Sequence, residues 1–362
     1  MMLLTTPPRP LIPRMKIAVI APARYPIREP YAGGLEAFCH TLVRALRDQG
    51  HTVDLYVARG SHGHVPDVEL PGVEWGELAR EATDTGYPPG ARELEDAAFA
   101  RLREYLATQD YDIIHNNSLH PALFTPGNRL PLVTTLHTPA LPEVQSAIAV
   151  AGAAAGRFAA VSEATAGAWE LQAPVTIVPN GVDVTRWLPG PGGQSAVWFG
   201  RIVPEKGLHL AMDAARLAGM SLEFAGRVGD RRYFESEIVP RMASMDATYR
   251  GELDHRDLND LVRRCAVCLV TPRWEEPFGL VAIEAMACGT PVAAFRRGGL
   301  GELLAGSPSA VAEADDVAGL ARALRIAAGV DRSVVRQWVI AHHSLTATAA
   351  RYAELYSEVL AR

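Results

Sequence analysis

Apolar residues along this chain come in short continuous runs, and the runs are separated by longer stretches in which they recur at helical spacing. The first run is MKIAVIAP (15–22). Unbroken apolar strands of this kind belong to parallel sheets covered on both faces. Residues 35–49 follow with one apolar face and stop at Gly50, a residue suited to the turn after a helix. HTVDLYVA reads as the second strand. A stretch rich in Gly and Pro, 59–90, reads as irregular, and 91–108 as a helix. DIIHNN and LPLVTTLH read as strands, 142–155 as a helix, and RFAAVS as the last strand of this half. Strand–helix alternation at this spacing predicts an α/β fold with a doubly wound parallel sheet.

The pattern then restarts. LPGPGGQS (188–195) is the most linker-like segment in the chain. After it come SAVWFG, a helix over 206–218, SLEFAG, a helix around 232–244, TYRGEL, a helix over 256–264, VCLVTP, a helix over 280–288 and TPVAAF. Residues 333–362 read as helical. The division is therefore a flexible leader over 1–14, one Rossmann-like domain over 15–187, a linker over 188–195, a second Rossmann-like domain over 196–332, and terminal helices over 333–362. A length of 362 residues fits two domains of ordinary size. Ligands of open α/β sheets sit beyond the carboxyl ends of the strands. A cleft between two such sheets is the expected site.

Composition narrows the partners. The net charge of −6 and the pI near 6.0 argue against a general nucleic-acid binder. No window reaches the ~18 uninterrupted apolar residues of a membrane span, which leaves room for peripheral contact only. The prolines of MMLLTTPPRPLIPR interrupt any secretory apolar region. These features point to a cytoplasmic protein whose four cysteines, Cys39, Cys265, Cys268 and Cys288, stay reduced. Cys265 and Cys268 have CxxC spacing but no second ligand pair, and they lead into a strand, so they read as buried thiols.

The chemistry concentrates at EEPFGLVAIEAMACGTP (275–291). Pro277 and Gly279 suit a loop that closes a strand and opens a helix near Leu280. Glu276 then precedes that helix and Glu284 lies just past its first turn. The free N–H groups of residues 279–281 carry the positive end of the helix dipole and can seat a phosphate. Two carboxylates beside that seat can accept hydroxyl hydrogens from a sugar. FGRIVPEKG (199–207) also follows a strand, and its Arg201 and Lys206 supply a planar fork and a compact charge for linked phosphates. Gly33 and Gly34, in YAGGLEAF, let backbone approach a ligand at a helix start. His137 ends the strand VTTLH. Asn116 and Asn117 end another strand and are placed at an acceptor pocket. Ser162, ahead of Glu163, reads as a helix cap.

The run EEPFGLVAIEAMACGTPV resembles the retaining GT-B-type glycosyltransferases of family 4, and the likeness extends over nearly the whole chain. It is strongest in 197–207 and 272–302. The resemblance implies two Rossmann-like domains facing a cleft, with the terminal helices crossing back to the first. It implies transfer of a hexose-type sugar from a nucleoside-diphosphate sugar to a hydroxyl acceptor, with retention, no metal and no cofactor beyond that co-substrate. Arg201 and Lys206 would neutralise the leaving diphosphate, and Glu284 would hold the ribose hydroxyls. Glu276 would hold the donor sugar, and Gly279, Leu280 and Val281 would cap the β-phosphate beside Phe278. The Gly33–Gly34 loop would cover the phosphates. His137 would contact the transferred sugar, Gly226 would lie near the diphosphate, and Leu253 would lie beside the base. Gly298, Gly299 and Glu302 match a further family segment. Many relatives carry a second histidine where Asn116 and Asn117 stand.

Asp110-Tyr111-Asp112 fits the DxD spacing of metal-dependent glycosyltransferases, but it precedes its strand and so falls at the wrong end of the sheet. Three other readings compete. One is a nucleotide-sugar epimerase or a sugar phosphorylase of the same architecture. A pyridoxal phosphorylase needs a free lysine, and the chain has only Lys16 and Lys206. Another is a non-catalytic nucleotide-sugar binder, which predicts loss of site groups that are all present here. The third, an NAD dehydrogenase, needs a G-x-G-x-x-G fingerprint that does not occur.

Overall fold

A computed structural model of the chain describes residues 13–63, 68–76 and 86–361. The expected leader therefore lies, through residue 12, outside the described residues, as do two parts of the irregular stretch 59–90. Twelve strands form two six-stranded sheets. The first sheet holds β1 (Lys16–Ile20), β2 (Thr52–Tyr56), β3 (Ile113–Asn116), β4 (Leu132–Leu136), β5 (Arg157–Ala160) and β6 (Val175–Ile177), in the order β2-β1-β3-β4-β5-β6. The second holds β7 (Ala196–Phe199), β8 (Leu222–Ala225), β9 (Ala247–Tyr249), β10 (Val267–Val270), β11 (Val292–Arg296) and β12 (Ala310–Glu313), in the order β12-β11-β10-β7-β8-β9. Every pairing in both sheets is parallel.

The continuous apolar runs have the expected cause. Successive residues of β1 face opposite sides: Ile17 and Val19 pack with Leu42 and Leu46 of the helix Gly34–Asp48, and Ala18 and Ile20 with Phe99 and Leu102 of the helix Ala91–Leu106. In the second sheet Val197 and Cys268 pack with Ile283 and Met286, whereas Trp198 and Leu269 face Met212 and Leu324. Each fully buried side chain of this size contributes about 1.5–3 kcal/mol, so both sheets have a core on each face. All four cysteines are free and buried.

Three departures from the expected elements have physical reasons. β6 and β12 are edge strands of three and four residues whose side chains are mostly half-exposed, so neither carries a continuous apolar run. RFAAVS is therefore not the last strand of its sheet. The helix expected around 232–244 is broken: a turn at Arg231–Tyr233 passes into a π-helical segment, Phe234–Ile238, before Val239–Met242. Pro240 has no N–H to continue the regular ladder. The helix expected over 206–218 divides at Gly207 into a 3₁₀ turn, Pro204–Lys206, and an α-helix, Leu208–Ala218.

The chain crosses between the sheets twice, side by side. Val182 N–H donates to His343 O at 2.9 Å, and Leu345 N–H donates to Val182 O at 3.0 Å. Val182 and Trp187 pack in the core of the second sheet, and the segment 188–195 is held there by Arg332, which donates to Gly190 O at 3.1 Å. The helix Leu345–Leu360 returns to the first sheet and buries Ala349, Tyr352 and Tyr356 in its core. Strand order reverses beside β1 in the first sheet and beside β7 in the second, and the crevices at those points are where open α/β sheets bind ligands.

Candidate active site

A cleft of roughly 650 Å³ opens between the carboxyl ends of the two sheets. Its second-lobe wall is built by the loops after β7 and β10. Gly207 adopts φ 67°, and a Cβ there would stand 2.1 Å from Thr271 O, so glycine lets the β7 loop lie directly on the β10 loop. Thr271 Oγ1 sits within 3.1 Å of Lys206 O, and Arg273 N–H donates to Glu205 O at 2.7 Å. This contact brings Lys206 to Glu276: Lys206 Nζ donates to Glu276 Oε2 at 2.7 Å, and Trp274 Nε1 donates to the same oxygen at 2.9 Å. The ammonium also lies 5.1 Å from the Trp274 ring centre. The two charged side chains are 23% and 12% exposed, enough for a ligand in the cleft to reach them.

The helix Leu280–Ala287 starts beside this pair, with Gly279 as its N-cap. From the other lobe the helix Gly34–Asp48 starts at the same place, capped by Gly33. A Cβ on Gly34 would stand 3.1 Å from Leu280 Cδ1. Two helix N-termini therefore converge on one cleft, each with unpaired N–H groups. Glu284 lies in the wall below, without an ion-pair partner among the described residues, and burial pushes its carboxyl up to about 7.

His137, after β4, lines the cleft from the first lobe. Its Nε2 donates to Asn117 Oδ1 at 2.8 Å, and its ring meets Phe38 edge-on at 4.8 Å. Burial pushes the imidazole down to about 3, so the ring is neutral and Nδ1 keeps a lone pair. In that state His137 can hold a hydroxyl in place but has no charge to lend as an acid. Asn116 and Asn117 are 1% and 0% exposed and do not line the cleft. Asn116 Oδ1 accepts from Ser118 Oγ at 2.7 Å, and Asn117 orients His137. Their place is behind the wall, because they lie within β3 or just after it with both faces of the sheet covered.

The structure brings Gly33, Gly34, His137, Arg201, Lys206, Gly226, Leu253, Glu276, Phe278, Gly279, Leu280, Val281 and Glu284 to the one cleft. Gly226 N–H donates to Gly251 O at 2.8 Å, which joins the loops after β8 and β9. Ser162 caps its helix by accepting from Thr165 N–H at 3.0 Å. Its Oγ also donates across the cleft to Pro277 O at 2.6 Å, the carbonyl next to Glu276. Glu302 of the second lobe accepts from Ala164 N–H at 2.6 Å and Glu163 N–H at 2.9 Å in the first. Neither these interlobe roles nor those of Trp274 and Asn117 show in the sequence, because each partner is distant or of a type with many uses. Asp110 pairs with Lys16, and Asp112 Oδ2 accepts from Lys16 N–H at 2.7 Å, at the amino ends of β1 and β3. Among the described residues no group of three or more His, Cys, Asp or Glu could hold a metal ion, and no helix is long and apolar enough to cross a membrane.

Comparison with known proteins agrees with this arrangement. The model of Glycosyltransferase Family 4 matches residues 32–186, and that of Glycosyl transferases group 1 matches residues 192–327. The chain belongs to the family 4 glycosyltransferases. The transferase is 37% identical over 164 residues to the glycogen synthase of Mycobacterium tuberculosis, a match covering 42% of this chain and 39% of that protein. It is 26% identical over 341 residues to the phosphatidyl-myo-inositol mannosyltransferase of Mycolicibacterium smegmatis, covering 86% and 84%. The crystal structure of Anabaena HepE in complex with UDP-glucose superposes with a TM-score of 0.71 at 19% identity, covering 95% of this chain and 100% of that one. That likeness places the two sheets in the GT-B fold.

Proposed function

We propose that this transferase moves a hexose-type sugar from a nucleoside-diphosphate sugar to a hydroxyl acceptor, with retention of configuration and without a metal ion. The observation that carries the reading is the Lys206–Glu276 pair at the meeting of two helix N-termini. A diphosphate entering between those helices meets unpaired N–H groups from both lobes, with Lys206 and Arg201 beside them. Lys206 can turn from Glu276 to a phosphate oxygen. Glu276 then keeps the Trp274 N–H and has its other lone pairs open to the hydroxyls of the donor sugar. Glu284, deeper in the wall, suits the ribose hydroxyls.

In a front-face step the bond from the anomeric carbon to the leaving phosphate oxygen breaks as the acceptor oxygen bonds to that carbon. The acceptor proton passes to the departing phosphate. The charge that develops on the diphosphate is stabilised by groups already in place, and such preorganised charges supply much of the rate enhancement of many enzymes. Neutral His137 fits a positioning role at the sugar rather than proton donation. Of the two lysines, Lys16 is paired with Asp110 at the far end of the sheet and Lys206 faces a carboxylate, so neither suits a Schiff base.

The test is a thermal-shift screen against UDP, GDP, ADP, dTDP and their sugar conjugates, with NAD as control. A ligand that binds the native state alone raises its stability by about 2.7 kcal/mol at a hundredfold excess over Kd. Stabilisation by one nucleoside diphosphate is expected, followed by turnover that survives excess EDTA. Silence from every nucleotide, or a response to NAD alone, would overturn the reading.

A further inference from the structure

The first-lobe wall carries a polar cluster that the donor chemistry leaves unused. The helix Ala91–Leu106 presents Arg92 and Glu95 to the cleft beside Tyr87, and the loops after β3 and β4 add His120 and Thr138. Glu95 is 6% exposed, and the Tyr87 hydroxyl bonds its carboxyl. Its Oε2 has no hydrogen-bond partner, and neither has Thr138 Oγ1. A buried polar atom left in that state costs on the order of 1–3 kcal/mol, and more when charged. Both residues line the cleft, so a ligand can supply the missing partners.

The charge of the cluster limits what that ligand can be. Arg92 pairs with Glu143 and lies 3.6 Å from Asp96 Oδ1. Arg24 donates to Gly86 O and stands 4.9 Å from the Tyr87 ring centre. His120 Nε2 bonds Asp96 Oδ1 at 2.9 Å while its ring stacks on Phe99 at 4.0 Å, and burial lowers its tendency to protonate. Two guanidinium groups thus face three carboxylates, and the atom left open is a carboxylate oxygen. A phosphate here would meet a like charge in a partly desolvated wall, which is unfavourable. Sugar hydroxyls would donate to it, in hydrogen bonds strengthened by the charge.

We propose that Glu95, Thr138 and Tyr87 form the acceptor subsite, and that it takes a neutral polyhydroxylated acceptor, a sugar or cyclitol, in preference to one bearing a phosphate. Glu95 is then the residue that selects the acceptor, the role expected from the sequence for Asn116 and Asn117. The proposal rests on the transferase reading above, and its test separates the two. The full chain, saturated with the nucleoside diphosphate that stabilises it, is titrated by saturation-transfer NMR with maltotriose and myo-inositol. Glucose 6-phosphate and myo-inositol 1-phosphate serve as the charged counterparts. At least one neutral probe should bind more tightly than its charged counterpart, and Glu95→Gln should weaken it by about tenfold, the loss of one charged hydrogen bond. The nucleotide-induced thermal shift of Glu95→Gln should match that of the parent chain, which also checks that the variant folds. Preference for the phosphorylated probes, no neutral probe bound, or equal binding by Glu95→Gln would overturn the proposal. Failure of every nucleotide to bind would instead remove the transferase reading beneath it.

Discussion

Lys206 and Glu284 illustrate how a few side chains in this cleft can act without any covalent chemistry of their own. Lys206 contributes a positive charge where the leaving diphosphate is expected, and Glu276 holds it ready in the ligand-free state. Lys206→Ala should lower kcat/KM for transfer by on the order of 10²–10³-fold, as loss of one preorganised charge does elsewhere. Thermal melting should show the fold retained, and unchanged turnover would remove the assignment. Glu284 makes a prediction about pH. Its carboxyl titrates near 7 in the folded chain against 4.5 in the unfolded chain, because burial disfavours the charged form. Below 4.5 both states hold the proton and there is no penalty. As pH rises from 4.5 to 7 the unfolded chain ionises first, so stability falls, and above 7 the full penalty stands. Glu284→Gln should therefore melt higher than the parent at pH 8 and equally at pH 4, while losing nucleotide binding. A melting difference independent of pH would contradict this account of the burial.

At the scale of elements, the helix Glu163–Gly167 is capped by both lobes at once. Ser162 closes it from within, and the Glu302 carboxylate takes the Glu163 and Ala164 N–H groups from across the cleft. The Ser162 hydroxyl in turn holds Pro277 O, so this short helix is tied to the loop that aims Glu276. Glu302→Ala should cost about 1–2 kcal/mol in urea unfolding, the usual effect of a lost cap. It should also lower kcat more than it raises the donor KM, because it loosens the approach of the lobes rather than the donor contacts. An effect on neither quantity would mean that the interlobe contact is incidental. The elements the sequence made legible were those with a strong local signal. The long helices and the buried central strands of both sheets stood out by period, and the loops holding Lys206, Glu276 and Glu284 stood out by their place after strands. What escaped was non-local. β6 and β12 owe their pairing to a neighbour strand, Glu302 to a partner 138 positions away, and the burial of Asn117 to the packing of β3 and β4.

The whole molecule is held in register by the terminal helix Leu345–Leu360, which leaves the second lobe and packs under the first-lobe half of the cleft. Its Tyr356 hydroxyl bonds His115 Nδ1 at 2.7 Å, and its Tyr352 hydroxyl accepts from Thr135 Oγ1 at 3.1 Å. His115 Nε2 completes the chain with Thr135 Oγ1 at 2.7 Å. His115 is fully buried with its imidazole pushed down to about 3, so at neutral pH it is uncharged and needs both ring nitrogens satisfied. Tyr356→Phe keeps the ring packing and removes one partner, which leaves a buried nitrogen bare at a cost of about 1–3 kcal/mol. The loss should appear as a lower urea midpoint with unchanged slope, since no additional surface is exposed. The diphosphate seat lies on the second lobe and at the start of the helix Gly34–Asp48, away from this network. Tyr356→Phe should therefore keep the thermal shift given by nucleoside diphosphate while shifting the baseline melting point downward. A variant that lost the nucleotide response as well would show that the terminal helix sets the separation of the two lobes, not merely the stability of the first.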